Sequence, residues 1–363
     1  MKIFNDNQGM RAALSQASKA LYCSNPNPRV GCVIVKNNQI IAKGHTKPVG
    51  YDHAEIVAIK DARKRGVDIK GSTIYVTLEP CNHFGRTPPC TLALVEAGIS
   101  RVVIATKDPN NIVTGNGEEF LKKAGIDVIT SIMEKEAREM NVGFFYRMEN
   151  NLPWVRVKFA MSIDGKTALS NGNSKWITSA NSRRDGHRWR AQSCAILTGI
   201  GTLLCDNPEL TVRDVSTSRQ PQRIILDSTL KTPQNAKILK GEKVWIATSS
   251  KNFEKETILK KKGVEIIFLP DKNGKVDLNL FMNELSRRNI NELHVEAGAK
   301  LSGSLMKLNL VNELLIYIST SFLGPGIPLA ELPEIDKLTD RLKFRLYEVK
   351  KIGEDLRVRL RKV

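Results

Sequence analysis

The sequence predicts two successive α/β domains, each built around a layered sheet. Its 363 residues suit two domains of roughly 100–200 residues each. Helix and strand patterns alternate through both halves of the chain, which is typical of α/β architecture. Between the halves, Asn150-Asn151-Leu152-Pro153 indicates a break in the pattern. We therefore expect one domain over residues 1–149 and another over 152–363.

The first half contains the elements of a mixed sheet with flanking helices. Two strands, at 30–36 and 39–44, are predicted to form a hairpin around Asn37-Asn38. The other predicted elements are, in chain order, a helix over 8–21, a helix over 53–66 that ends at Gly66, a strand over 72–80, a helix over 89–99, a strand over 101–106, and a helix and strand in FLKKAG and DVIT.

The second half is rich in short apolar runs that predict strands. They lie at 154–162, 194–199, 223–228, 244–248, 265–270, 292–298 and 313–319. None is followed by a G-x-G-x-x-G motif, so a Rossmann fingerprint is not supported. The segment VEAGAKLSGSL (295–305) predicts a strand, a glycine-flanked turn and a helix. Backbone N–H groups at such a turn can hold a phosphate, or the glycines can serve packing alone.

Composition and charge narrow the class of protein. With 41% hydrophobic and 26% charged residues, the chain is neither collagen-like nor largely disordered. No apolar run reaches the ~18 residues of a membrane span, and the N-terminus lacks a secretory apolar core, so we expect a cytoplasmic enzyme without a membrane partner. The net charge of +18 falls mostly after residue 150. It suits a phosphorylated small molecule, an acidic partner, nucleic acid, or a solvated lysine-rich surface.

Two of the six cysteines occur in a pattern that indicates metal chemistry. His53-Ala54-Glu55 opens a predicted helix, Cys81 follows Pro80 at a strand end, and Cys90 opens the next helix. One imidazole and two thiolates suit tetrahedral Zn²⁺ and leave a fourth position for a water, whose pKa zinc lowers towards ~7. Glu55 is placed to move protons between that water, a ring nitrogen and leaving ammonia. The set is the zinc-deaminase arrangement.

Alternatives to a catalytic deaminase site remain at this point. Eight residues, rather than two, separate Cys81 from Cys90, and His83 between them could complete a purely structural zinc site, although such a site has no use for Glu55. A nucleic-acid base deaminase would have the shorter cysteine spacing and stacking aromatics, and no basic run interleaved with aromatics is evident. A zinc-stabilised binding module without activity is the third alternative.

The run TLEPCNHFGRTPPC (77–90), preceded by HAE and by NPNPRVGCVIV (25–35), resembles the bacterial bifunctional deaminase–reductases of riboflavin biosynthesis. The resemblance implies a cytidine-deaminase-like three-layer domain over 1–149 that hydrolyses the amino group of diaminohydroxyphosphoribosylaminopyrimidine. It implies zinc ligation by His53, Cys81 and Cys90, with Glu55 as the catalytic proton carrier and Asn27 on the base. The family often has G-x-H-x-x-A-G before HAE. Here GHTKPVG (44–50) offers His45 and Thr46, and which of them touches substrate stays open.

The second half resembles the reductase domain of the same family. KFAMSIDGKTA (158–168), SKWITS (174–179), the run over 190–213 and VEAGAKLSGSL occur in the family's order. The resemblance implies a dihydrofolate-reductase-like α/β domain over 152–363. With NADPH, that domain would reduce the ribosyl side chain of 5-amino-6-(5-phosphoribosylamino)uracil to ribityl. The implied NADP contacts are Ala160, Trp176, Thr202, Asp206, Ser228, Gly298, Ala299, Lys300, Leu301, Ser302, Gly303 and Ser304, and the implied substrate contacts are Ser174, Arg190, Leu210, Arg213 and Glu296.

The sequence supports some of these implied contacts better than others when each residue is considered alone. Arg190 and Arg213 are forked donors of the kind that bind phosphate. Asp206 before Asn207-Pro208 could be a turn residue, and Trp176 could belong to the core. The expected partner is a phosphorylated pyrimidine small molecule. We expect no specific nucleic acid, and we expect a homo-oligomer whose subunit number the sequence does not specify.

Overall fold

The computed structural model describes residues 2, 5–84, 88–110, 116–241 and 244–363. The chain divides into two compact units, Met1–Asn150 and Asn151–Val363. Among the described residues, no helix has both the length and the apolar character that crossing a bilayer requires.

The first unit is a five-stranded sheet with helices on both faces. Its elements are α1 (Asp6–Ala17), β1 (Gly31–Lys36), β2 (Gln39–His45), α2 (Ala54–Lys64), β3 (Thr73–Val76), α3 (Cys90–Glu96), β4 (Arg101–Ile104), α4 (Asn116–Lys123), β5 (Asp127–Ile129), α5 (Glu134–Met140) and α6 (Val142–Asn150). The strand order is β2-β1-β3-β4-β5. β1 is antiparallel to both of its neighbours, whereas β3, β4 and β5 run parallel.

Alternating side chains of the central strands divide the core of this unit in two. On β1, Cys32 and Ile34 pack with residues of α2, α3, α4 and α6. Val33 and Val35 point to the other face, where they pack with residues of α1 and α5. This alternation is the period of a strand buried on both sides, and it produces three layers of helix, sheet and helix. The cytidine-deaminase-like three-layer expectation is therefore confirmed.

The second unit is a nine-stranded, mostly parallel sheet. Its elements are β6 (Trp154–Met161), β7 (Lys166–Leu169), α7 (Ala180–Gln192), β8 (Ala195–Gly199), α8 (Ile200–Asp206), β9 (Gln222–Leu226), β10 (Val244–Thr248), α9 (Phe253–Lys261), β11 (Val264–Phe268), α10 (Leu278–Arg287), β12 (Glu292–Val295), α11 (Ala299–Lys307), β13 (Glu313–Ile318), β14 (Gly326–Pro328), β15 (Phe344–Ile352) and β16 (Asp355–Lys362). The order is β11-β10-β9-β8-β12-β6-β13-β16-β15, and β7 pairs with β14 in a separate ribbon.

Parallel pairing brings the carboxyl ends of seven strands to one edge of the second sheet. β11, β10, β9, β8, β12, β6 and β13 all run in the same direction, and β16 and β15 complete the sheet in antiparallel fashion. α10 and α11 pack on one face of the sheet, and α8 and α9 pack on the other. In open α/β sheets the ligand binds beyond the carboxyl ends of the strands. We therefore expect a ligand site among the chain segments that follow β6, β8, β9 and β12.

Candidate active sites in the two units

The first candidate site is built where α2 begins. His53 is the N-cap residue of α2, with extended backbone, and its side chain makes no capping hydrogen bond to the helix. The ring turns instead towards the two cysteines. Its Nδ1 atom lies 3.6 Å from Sγ of Cys81 and 3.3 Å from Sγ of Cys90. Cys90 is the first residue of α3, and its backbone N–H points at Sγ of Cys81 over 3.5 Å.

These three donor atoms fit a zinc ion. Nδ1 of His53 and the Sγ atoms of Cys81 and Cys90 all lie within 4.8 Å of one another. A tetrahedral Zn²⁺ with bonds of about 2.0 Å to nitrogen and 2.3 Å to sulfur sets its ligands roughly 3.5–3.8 Å apart. Of the His, Cys, Asp and Glu side chains in the described ranges, only these three form such a group. His83 is exposed and does not belong to the group, so the described residues leave the fourth position without a protein ligand.

The ligands are electrostatically coupled. A hydrogen bond from the Cys90 thiol, assisted by the His53 ring, lowers the pKa of the Cys81 thiol. The contact with Cys81 raises the pKa of Cys90. The same sulfur of Cys81 raises the pKa of His53 to about 9. The three groups therefore share protons tightly, and a divalent cation that binds them takes the place of those protons.

Glu55 lies in the first turn of α2, beside the three ligands, but it does not belong to the ligand group. Its side chain is 4% exposed and contacts the Cys90 thiol. Burial raises the pKa of Glu55 to about 6, against the opposing charge of His53. A buried carboxyl beside a metal site, free of the metal itself, is the arrangement that proton transfer requires.

Glu79 and Gly117 hold the segment that carries Cys81. The Glu79 carboxylate is 3% exposed and accepts N–H donations from Gly117 at 3.0 Å and Glu118 at 3.2 Å, at the start of α4. A Cβ atom on Gly117 would lie 2.1 Å from the carbonyl oxygen of Pro80. Only glycine admits this approach, and the contact fixes the backbone immediately before the metal ligand.

The remaining residues predicted near this site lie around the ends of β1 and β2. Asn27 is half-buried, and its N–H donates to Ser24. Thr46 is buried, and its hydroxyl accepts the N–H of Val30 at 3.0 Å. His45 lies 3.4 Å from Nζ of Lys47, and burial together with Lys47 lowers its pKa. The contacts of Asn27, His45 and Thr46 with substrate stay predictions.

The second candidate site is a cavity of about 1300 Å³ at the carboxyl edge of the nine-stranded sheet. Ligand cavities commonly enclose roughly 300–1,000 Å³, so this one has room for a dinucleotide and a second ligand. Gly298, Ala299, Lys300 and Leu301 line it, at the N-terminus of α11. The N-terminus of a helix of this length offers unpaired N–H groups and a positive dipole to a diphosphate, so the residues present fit a nicotinamide dinucleotide.

A partly buried cluster of ion pairs lines the cavity. The guanidinium of Arg190 donates hydrogen bonds to both carboxylate oxygens of Glu296, from Nε to Oε1 and from Nη2 to Oε2 at 2.9 Å. Nζ of Lys158 is 4.0 Å from Oε2 of Glu296. Although burial opposes ionisation, Arg190 and Lys158 hold the pKa of Glu296 well below its usual range. Glu296 is therefore a carboxylate, and it lies beside the cationic groups of Arg190 and Lys158 in the lining of the cavity.

Comparison with known proteins matches each of the two units to a family model. Residues 4–106 match the model of the cytidine and deoxycytidylate deaminase zinc-binding region, and residues 153–358 match the RibD C-terminal domain. The riboflavin biosynthesis protein RibD of Buchnera aphidicola is 43% identical, and the alignment covers 97% of each chain. The chain belongs to the RibD family.

Solved RibD structures superpose on this chain over 99% of its length. Acinetobacter baumannii RibD, form 1, superposes with a TM-score of 0.90 at 37% identity, covering 99% of each chain. A Thermotoga maritima protein superposes with a TM-score of 0.88 at 34% identity, also over 99% of each chain. It is described as a diaminohydroxyphosphoribosylaminopyrimidine deaminase/5-amino-6-(5-phosphoribosylamino)uracil reductase. The resemblance stated from the sequence motifs is confirmed.

The cavity collects nearly all the residues that the RibD resemblance implied for the second unit. Those that line it are Ala160, Ser174, Trp176, Arg190, Thr202, Asp206, Leu210, Arg213, Ser228, Glu296, Gly298, Ala299, Lys300, Leu301 and Ser304. Ser302 and Gly303 do not line it. Ser302 is fully buried with its hydroxyl on the carbonyl of Ala297, and a Cβ on Gly303 would lie 2.0 Å from the carbonyl oxygen of Glu331. Both residues pack on the inner side of α11, and their contacts with NADP stay predictions.

Trp176 and Asp206 lie at the mouth of the cavity rather than in the core. Trp176 is 70% exposed, and the guanidinium of Arg183 stacks on its ring at 4.4 Å. Oδ1 of Asp206 is 3.6 Å from Nζ of Lys175. The alternative that Trp176 is a core aromatic is therefore excluded. An exposed aromatic ring beside a cavity is well placed to stack on a flat ligand.

Sequence reasoning missed several residues of the two sites, among them Glu79, Lys158 and His187. Glu79 lies inside the TLEPC motif, but only its contacts with α4 show its role. Lys158 lies in the KFAMS motif, yet a lysine within an apolar strand gave no sign of facing the cavity. His187 follows Arg183 by one helical turn and precedes Arg190 by another, so all three share a face of α7. That spacing was the signal that could have placed His187 in the site.

Proposed function

We propose that this RibD-family chain is a bifunctional enzyme of riboflavin biosynthesis. Residues 1–149 deaminate diaminohydroxyphosphoribosylaminopyrimidine with the help of zinc, and residues 152–363 reduce the ribosyl side chain of the product with NADPH. The observation that carries the proposal is the convergence of His53, Cys81 and Cys90 beside the buried Glu55, because a structural zinc site would not keep an unligated buried carboxyl there.

In the deamination, this chain's residues hold the metal and move protons. When bound, zinc supplies Lewis-acid activation of a water. His53, Cys81 and Cys90 hold the ion. Glu55 takes a proton from the attacking water and delivers protons to the ring nitrogen and to the leaving amine, so that water adds, ammonia leaves and a carbonyl replaces the amino group. Burial of Glu55 keeps bulk water from competing for those protons.

In the reduction, the second unit binds and orients two ligands. NADPH supplies a hydride when bound. The reaction breaks the C1′–O4′ bond of the ribosyl group, adds hydride at C1′ and adds a proton at O4′. The turn from Gly298 and the first turn of α11 hold the cofactor diphosphate. Arg190 and Arg213 bind the substrate phosphate, whereas Glu296 and Lys158 face the sugar and position its hydroxyl groups.

We propose in addition that the enzyme acts in the cytoplasm as a homo-oligomer, on a phosphorylated pyrimidine and without a specific nucleic-acid partner. The basic net charge of +18 serves two phosphorylated ligands in this proposal. Binding to tRNA or single-stranded DNA should then be weak, should lack sequence preference and should disappear as salt is raised. Tight, sequence-dependent binding of either nucleic acid would favour a base deaminase instead.

The decisive experiment follows the two reactions separately in one vessel. Zinc-loaded protein is incubated anaerobically with the diaminopyrimidinone ribosyl phosphate and NADPH, and ammonia and NADP⁺ are measured in parallel. We expect ammonia without NADPH, and NADP⁺ formation only when deaminated substrate is present. Absence of ammonia release from fully zinc-loaded protein would contradict the deaminase assignment, and NADPH oxidation that requires no pyrimidine would contradict the reductase assignment.

A further inference from the structure

A stretch without regular secondary structure delivers Arg213 to the cavity. Residues 207–221 connect α8 to β9, and Leu210 within them has a left-handed backbone with φ of +51°. The backbone of such a segment is not paired with a strand, so side chains supply hydrogen bonds that fix its position. Gln220 makes both hydrogen bonds of Val212, donating to its carbonyl at 3.1 Å and accepting its N–H at 2.8 Å.

Helix α7 holds the same stretch from the cavity side. Nη1 of Arg190 donates to the carbonyl of Thr211 at 3.0 Å. One helical turn earlier, Nδ1 of His187 accepts the backbone N–H of Arg213 at 3.3 Å. His187 is 7% exposed and lines the cavity together with Arg190 and Arg213. It thus touches the backbone of Arg213 directly.

The bond fixes the state of the His187 ring. Because Nδ1 accepts a hydrogen bond, the ring is neutral and carries its proton on Nε2, which lies 3.7 Å from Oδ2 of Asp214. Burial, together with the charges of Arg190 and Arg213, lowers the pKa of His187 to about 4, against the opposing carboxylates of Asp214 and Glu296. At neutral pH the acceptor is therefore available, and the Arg213 N–H stays bonded.

We infer that His187 is a positioning residue of the reductase, which orients Arg213 for the phosphate of the substrate. The guanidinium of Arg213 is half exposed, and within the described part of the chain its polar partners are the side chains of Glu209 and Thr211. Its direction is set mainly by its backbone, and that backbone is anchored by His187. This inference rests on the proposed reductase function and on the role of Arg213 within it.

Two variants separate the Nδ1 bond from the bulk and polarity of the ring. In His187→Asn the side-chain amide falls where Nδ1 lies and its oxygen can accept the Arg213 N–H. In His187→Gln the amide falls near the position of Nε2 and cannot. Loss of one hydrogen bond in a positioned site costs roughly tenfold, so the KM for the phosphorylated aminouracil should rise about tenfold in His187→Gln and stay within about threefold in His187→Asn. The kcat and the KM for NADPH should change little in both.

Arg213→Ala supplies the test of mechanism and of the underlying function. If His187 acts through Arg213, His187→Gln should add nothing to the KM of Arg213→Ala, because two changes on one interaction are not additive. If Arg213→Ala leaves the KM unchanged while NADPH is still oxidised, the assumed role of Arg213 fails. The positioning role is wrong if Arg213→Ala raises the KM for the phosphorylated aminouracil but His187→Gln does not. It is also wrong if His187→Gln raises that KM further in the double variant, or if His187→Gln raises the KM for NADPH by the same factor.

Discussion

Nδ1 of His53, which occupies the N-cap position of α2, lies 3.3 Å from Sγ of Cys90, the first residue of α3. Two helix N-termini therefore meet at one point, and Cys81 closes the triangle from the segment after β3. The backbone N–H of Cys90, at the start of α3, points at Sγ of Cys81 and favours the thiolate form of Cys81.

The zinc content of the protein should depend on His53, Cys81 and Cys90. The protein as purified with zinc should carry about one zinc per chain, and Cys90→Ala should carry none, since two remaining ligands are too few for a stable site. Inductively coupled plasma spectrometry after desalting measures this directly. His83→Ala is the matched control because His83 is an exposed histidine of the same loop, and it should keep its zinc. If His83→Ala also emptied the site, the zinc would have four protein ligands.

Glu55→Gln should separate binding from chemistry. The amide keeps the size of the carboxyl but cannot accept a proton, and it is not a zinc ligand, so zinc content and fold should be unchanged. Ammonia release should fall by about 10²–10⁴-fold, which is the usual contribution of a general acid–base group. NADPH oxidation on already deaminated substrate should continue at the normal rate. Normal ammonia release by this variant would exclude Glu55 as the proton carrier.

Gly117→Ala should weaken zinc binding from a distance. The new Cβ would lie 2.1 Å from the carbonyl oxygen of Pro80, so the backbone before Cys81 must move. Changes to groups that orient a metal ligand typically cost about 10–100-fold in affinity. Competition with a chromogenic chelator measures the change. Glu119→Ala, an exposed position on the same helix α4, should leave zinc affinity unaltered, and equal losses in both variants would point to general unfolding of the helix.

The sequence predicted local features well where a single physical signal dominated. The Asn37-Asn38 hairpin is confirmed, with both residues at positive φ of 50° and 59°, as a two-residue turn between paired strands requires. The strand predicted over 72–80 is shorter in the structure, where β3 covers Thr73–Val76.

Elements with charged or exposed sequences could not be predicted in this way. β15 is a strand whose side chains are mostly exposed, and β16 alternates arginines that are charged yet largely buried, such as Arg357 and Arg361. Neither has the apolar run that marks a strand. Arg357 pairs with Asp185 and Arg361 pairs with Glu313, both far away in the sequence, so the reason for the burial of these arginines exists only in the folded state. The cavity-facing side of Lys158 is hidden from the sequence for the same reason.

Asp206→Ala should impair the reductase alone. Asp206 faces the cavity and is 3.6 Å from Nζ of Lys175, so its loss removes one polar contact and frees a neighbouring cation. We expect the KM for NADPH to rise about tenfold, the size of one lost hydrogen bond to a charged group, and ammonia release to stay normal. Steady-state assays of both reactions on one preparation test this. Glu254→Gln on the exposed surface of α9 is the control, and loss of both activities in Asp206→Ala would indicate misfolding instead.

Acid should destabilise the second unit through Glu313. This carboxylate is fully buried, with Oε1 2.6 Å from Nε of Arg156 and Oε2 2.9 Å from Nη2 of Arg359. Although burial opposes ionisation, these arginines lower the pKa of Glu313 to about 2 from 4.5. Because the folded-state pKa lies below the unfolded one, Glu313 stabilises the fold above pH ~4.5, and that stability is lost as the pH falls towards 2, by about 3 kcal/mol in total.

Tryptophan fluorescence isolates this effect, since all four tryptophans lie in Asn151–Val363. Urea unfolding followed at that signal should give a free energy of unfolding that falls between pH 5 and pH 2.5 in the wild type. Glu313→Gln should be less stable at pH 7, because the arginines lose their counter-ion, but its free energy should fall less steeply over the same range. A variant with the wild-type slope would show that another carboxylate, such as Glu296, carries the acid sensitivity of this unit.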